Sequence, residues 1–78
     1  MPRYYFHVRE ADILSVDLEG ALLQGDERAI REAIQAAQEM LAEKIMAGEI
    51  IPDSSFEVVR ADGHLIAVIP VSSVLRFQ

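Results

Sequence analysis

The chain contains no cysteine, which excludes disulfide cross-links and thiolate metal sites. It has no tryptophan and three prolines, and its four glycines stand alone at 20, 25, 48 and 63. Glycines scattered in this way punctuate a fold and do not form a phosphate-cradling loop. Basic residues are scarce, seven against thirteen acids, which leaves a net charge of −6. Phosphate contacts dominate nucleic-acid affinity, so nucleic acid is not the expected partner of the chain as a whole. The two histidines, His7 and His64, come without a third placed ligand and make no metal case. No apolar run approaches the roughly 20 residues that span a bilayer. Arg3, His7 and Arg9 interrupt the opening stretch, which rules out a signal-peptide apolar region there. The expectation is a soluble cytoplasmic protein without cofactor, metal or membrane association.

A catalytic set is also missing. Ser54, Ser55, Ser72 and Ser73 fall in apparent loops with no nucleophile elbow, and acyl transfer needs a nucleophile, a base and an orienting group. Glu32, Glu39 and Glu43 share one helix face, the ordinary place for solvated carboxylates. Asp26 reads as a helix cap and Asp62 as a turn residue. No enzymatic activity is expected.

What is present is one long amphipathic stretch, Asp26 to Gly48. Ile30, Ala33, Ile34, Ala37, Leu41 and Ile45 recur with the 3.6-residue period of a helix, with Met40 on the flank. Gly25 breaks the chain, Asp26 is placed to cap the first free N–H groups, and Glu27 lies where the helix dipole favours a negative charge. Gly48 supplies a left-handed C-cap, with Pro52 beyond. Ala33 and Ala37 at the stripe's centre allow a close approach to a sheet.

Strands flank this helix. Residues 3–9 alternate, with Tyr4, Phe6 and Val8 on one face and Arg3, Tyr5, His7 and Arg9 on the other. A three-residue turn, Glu10-Ala11-Asp12, would return the chain through Ile13 to Leu18, setting Val8 opposite Leu14, Phe6 opposite Val16 and Tyr4 opposite Leu18. Leu22 and Leu23 would close one end of the core. Asp62-Gly63 predicts a second hairpin through a two-residue type I′ turn, with Ala61 facing His64. One face then holds Phe56, Val58, Leu65, Ala67 and Ile69, with Arg60 at the rim. The other holds Glu57, Val59, Ala61, His64, Ile66 and Val68. Pro70 ends regular pairing. Residues 71–78 include Val74, Leu75 and Phe77 and are too apolar for a free tail.

The pattern predicts a single α+β domain over residues 1–78, ββαββ, with one amphipathic helix packed on a mainly antiparallel four-stranded sheet. The last strand, apolar on both faces, is expected in the centre. A core in 78 residues is marginal, and 51 % apolar residues favour association. The outer sheet face is the candidate interaction surface, with Arg3, Tyr5, His7, Arg9, Val59, His64, Ile66 and Val68. The expected assembly is a homodimer, with another protein as the alternative occupant. Arg3, Tyr5 and Arg9 also suggest a single-stranded RNA surface, against which Asp17, Glu19 and Glu57 would stand.

Two resemblances add to this reading. The opening Met1-Pro2-Arg3-Tyr4-Tyr5-Phe6-His7-Val8-Arg9, the Asp17-Leu18-Glu19-Gly20 corner, the alanine-rich helix and the ending with Phe56-Glu57-Val58-Val59, Asp62-Gly63 and Val68-Ile69-Pro70-Val71 resemble a small alphaproteobacterial family of unknown function. The likeness covers nearly the whole chain and implies a ββαββ fold without assigning an activity. Glu10-Ala11-Asp12 departs from the family's more usual Asp-Gly turn. The stretch from Asp17 to Asp26, running into the helix, is similar to part of the HicB-type antitoxins, over about a third of the chain. That likeness implies neutralisation of an RNA-targeting toxin, and an acidic chain would suit a basic partner. The departures are two strands, not more, before the helix and no evident DNA-binding extension.

Overall fold

The computed structural model describes residues 1–49 and 53–76, with side chains up to residue 74. The chain runs β1 (Arg3–Glu10), β2 (Ile13–Ser15), β3 (Ala21–Leu22), α1 (Asp26–Met46), β4 (Ser54–Arg60), β5 (Leu65–Pro70) and a 3-10 helix (Val71–Arg76). This is the expected α+β, ββαββ arrangement, with the short β3 as an addition. The sheet is antiparallel in the order β2-β1-β4-β5. β1 gives one edge to β4 over its length and shares the other between β2 at Val8–Glu10 and β3 at Arg3–Tyr4. β5 is therefore an edge strand, not the expected central one. It ends at Pro70, which has no N–H to offer a further neighbour.

The helix packs on β4, β5 and the 3-10 helix. Its fully buried positions are Ala29, Ala33 and Ala37, followed by Leu41. Alanines let the helix axis come close to the sheet, and that closeness centres the contact on them. The bulkier Ile30 and Ile34 are left half-buried on the flank. Ile45, expected in the stripe, lies one turn past the last buried residue and is 54 % exposed. On the sheet side Tyr4, Phe56 and Val58 complete the core, and Val71 and Val74 of the 3-10 helix seal it. The tail thus docks on its own domain through those two valines. The roles expected of Pro52 and Phe77, and of the Leu75 side chain, lie outside the described part.

The C-terminal end of the helix closes as the sequence suggested, and the N-terminal end does not. At the C-terminus Gly48 takes φ +72°, Glu49 N–H donates to the Lys44 carbonyl and Gly48 N–H to that of Ile45. This is the Schellman arrangement that satisfies the last free carbonyls. At the N-terminus Gly25 is the cap residue and no side chain caps it. Asp26 is instead drawn to the core. The Tyr4 hydroxyl, on a side chain with no exposed surface, needs an acceptor and donates to Asp26 Oδ1 at 2.6 Å. Arg60 Nη1 donates to both Asp26 oxygens, at 3.1 and 2.9 Å, and its Nε to Asp62 Oδ2 at 3.1 Å. One polar clasp thereby ties β1, β4, the second hairpin and the start of the helix.

The Tyr4 hydroxyl and the Arg60 guanidinium together hold the Asp26 carboxyl below the usual carboxylate range, against the opposing effect of burial. A folded-state value below the unfolded one gives stability that is fully present above the unfolded value and is lost as pH falls through the folded one. Thermal melts from pH 7 to pH 2.5 are expected to show a midpoint that falls steeply below about pH 4. Asp26→Asn, which keeps an acceptor for Tyr4 but has no charge for Arg60, should flatten that fall.

Candidate functional site

The helix covers one face of the sheet, and among the described residues no second layer covers the other. The rows on that outer face follow from the pairing: Leu14 beside Arg9 and Ser55, His7 between Asp17 and Glu57 with Val68 beyond, Tyr5 beside Val59, and Leu22 beside Arg3. Tyr5, His7, Arg9, Glu57 and Val59 are half-buried, while Val68 is 49 % exposed. Tyr5 and His7 stack, with ring centroids 6.2 Å apart and planes at 15°. Arg9 pairs with the Glu57 carboxylate, a contact that raises the guanidinium pKa further. Arg3 donates from Nη1 to the backbone carbonyl of Glu19 at 2.7 Å.

Two of the expected face residues are elsewhere. A bulge interrupts β4–β5, so that Val58 faces Ala67 but Val59 faces Leu65. Ile66 is the extra residue and packs against the core. Leu65 is turned to the outer face in its place and is 49 % exposed. The cause is the turn. Arg60 N–H donates to the His64 carbonyl and Gly63 N–H to the Arg60 carbonyl, and within the loop only Gly63 has positive φ, at +89°. That is a three-residue loop with a left-handed glycine, not a two-residue I′ turn, which needs positive φ twice. His64 closes this loop opposite Arg60 and is exposed, with its N–H on Asp62 Oδ1. β4 separates β1 from β5, so the two histidines are not brought together.

The first hairpin differs in the same manner. Its loop is Ala11-Asp12 and its pairs are Val8–Ser15, Arg9–Leu14 and Glu10–Ile13. Ala11 at φ +53° allows the tighter turn. A one-residue slip turns every side chain over, so Leu14 joins the outer face and Ile13 the inner one. β2 stops at Ser15, and Val16 and Leu18, expected opposite Phe6 and Tyr4, are exposed by 55 % and 87 %. Of the pair expected to close the core, Leu23 packs against it and Leu22 is 51 % exposed.

What replaces the lost strand is a corner built on Asp17. Its carboxylate accepts the N–H groups of Phe6 at 3.0 Å and of Glu19 and Gly20 at 3.2 Å each. Its own N–H donates to His7 Nδ1 at 2.9 Å. Burial would raise this carboxyl's pKa, but the three backbone donors and His7 outweigh that and lower it. The sequence reading passed over this role, although Asp followed three residues later by Gly is a recognisable side-chain turn signal. Among the described residues no helix is long and apolar enough to cross a membrane.

No curated relative and no solved structure matches the chain. A family model does, over residues 3–72, and its description is a domain of unknown function, DUF6894. The extent of that match, nearly the whole chain, places this ββαββ protein in the DUF6894 family.

Proposed function

We propose that the chain is a non-enzymatic interaction module that pairs with a second copy of itself through the outer sheet face. The observation that supports this most directly is the composition of that face. Tyr5, Leu14, Leu22, Val59, Leu65 and Val68 lie on it, yet of its ladder residues only Glu57 is a carboxylate, and Arg9 engages it. In a chain of net charge −6, the acids are concentrated away from the surface that would meet a copy carrying the same charge.

The test is solution mass by light scattering over a range of concentrations and salt. A dimer is expected, strengthened by salt because screening relieves the repulsion between two acidic chains. Leu65→Lys with Val68→Lys should yield a folded monomer. A monomer at every concentration would overturn self-association and leave the face to another protein, of which a basic toxin, as the HicB likeness suggests, is the form to try first. The RNA reading is weakened by the engagement of Arg9 with Glu57, since a phosphate would have to displace that carboxylate.

A further inference from the structure

We propose that His7 and Asp17 form an acid-sensitive latch, which holds the segment between β2 and β3 against β1 and releases it when the imidazole takes up a second proton. β1 is paired on this edge only at Val8–Glu10 and Arg3–Tyr4. In the gap between, the Phe6 N–H is met by the Asp17 carboxylate, not by a strand. Four hydrogen bonds converge on Asp17. Three of them need only an ionised carboxylate. The fourth, from Asp17 N–H to His7 Nδ1, needs an unprotonated nitrogen, so the ring is the neutral tautomer with its proton on Nε2.

A proton added at Nδ1 would point at the Asp17 N–H, two donors facing each other 2.9 Å apart. The imidazolium must then turn to find an acceptor: the Asp17 carboxylate, in competition with the backbone donors already there, the Glu57 carboxylate across the ladder, or water at this half-buried position. That movement also breaks the stack on Tyr5. The surrounding charges come from every side. Asp17 and Glu19 lie at the corner, Glu57 faces His7 from β4 and is engaged by Arg9, and Arg3 binds the Glu19 carbonyl. Tyr5, on the same strand, is the remaining titratable neighbour. None of these charged groups restores the acceptor that Asp17 N–H loses. The latch is a property of one chain and stands apart from self-association.

The experiment is amide hydrogen exchange by NMR on the full chain at about pH 8 and pH 5, expressed as protection factors so that the intrinsic pH dependence cancels. Protection of Phe6 and Asp17 should fall about tenfold at the lower pH, the scale of one hydrogen bond's net contribution, while Val58 in β4 stays unchanged. His7→Asn presents an amide oxygen close to the position of Nδ1 and does not titrate in this range, so it should hold protection constant. Nitrogen-15 shifts of the wild-type ring require no variant and should show Nδ1 unprotonated at pH 8. Equal protection at both pH values, a fall that persists in His7→Asn, or a proton on Nδ1 at pH 8 would each overturn the latch.

Discussion

Gly20→Ala is expected to destabilise the fold by about 3 kcal/mol, the sum of backbone strain and a steric clash. Gly20 sits at φ +68°, where a side chain costs about 1–2 kcal/mol. An added Cβ would also lie 2.7 Å from the Tyr4 carbonyl oxygen and 3.0 Å from Arg3 Cγ and Tyr5 Cε1. The oxygen belongs to the central strand β1, so it cannot move aside as a flexible side chain would. The corner would have to leave the sheet, taking with it the bond from Gly20 N–H to Asp17. A domain of this length has roughly 4–12 kcal/mol in total, so the loss should lower the melting temperature by roughly 15 °C. Gly48 and Gly63 provide the control. Both have positive φ, but open space surrounds the Cβ position of each, so alanine there should cost only the strain, about 1 kcal/mol. Melts of the three variants separate the two contributions, and equal losses at all three would show that the contact with β1 adds nothing.

The second large effect is expected from Ala37→Leu. Ala37 has no exposed surface and lies in the alanine row through which α1 packs on β4, β5 and the 3-10 helix. Three extra carbons at a close-packed approach must push the helix outward or force neighbours off their rotamers, at a cost of about 2–3 kcal/mol. Lifting the helix would also stretch the Asp26 contacts to Tyr4 and Arg60. The same change at Ala42, on the exposed side of the helix, should stay within about 0.5 kcal/mol. Urea titrations decide it. A midpoint shift at Ala37 with unchanged slope marks lost stability in a two-state fold, and no shift would mean that the helix does not rely on small residues for its approach.

Both variants probe contacts between segments distant in sequence, and there local reading ran short. Local periodicity was enough for the helix, for its glycine C-cap at Gly48 and for the two faces of β1, because a side chain's direction along a helix or strand repeats within a few residues. It was also enough to show that Phe56 and Val58 lie inside and that the segment after Pro70 docks. Turn chemistry was the weaker guide. Asp62-Gly63 marks a hairpin correctly, but one residue more in the loop, together with the bulge, sends Ile66 inward and Leu65 outward. One residue fewer in the first loop moves Leu14 to the outer face. A strand's period of two makes each such difference a complete inversion.

Of the eight residues named for the outer face, Arg3, Tyr5, His7, Arg9, Val59 and Val68 are placed there, because their alternation starts from strands whose phase the sequence reveals. Ile66 and His64 follow the misread turn and are not. The sequence by itself determined the helix, the two hairpins and the apolar sides of the helix, β1 and β4, since those follow from interactions between neighbours in the chain. Only the tertiary structure decided that β5 lies at the edge, that Asp26 serves the Tyr4 hydroxyl before the helix cap, and that Asp17 closes the gap in β1. Each of these settles a competition for hydrogen-bond partners between residues that meet only after folding: a buried hydroxyl and a strand's unpaired N–H group must be satisfied by whichever acceptor the fold brings within reach.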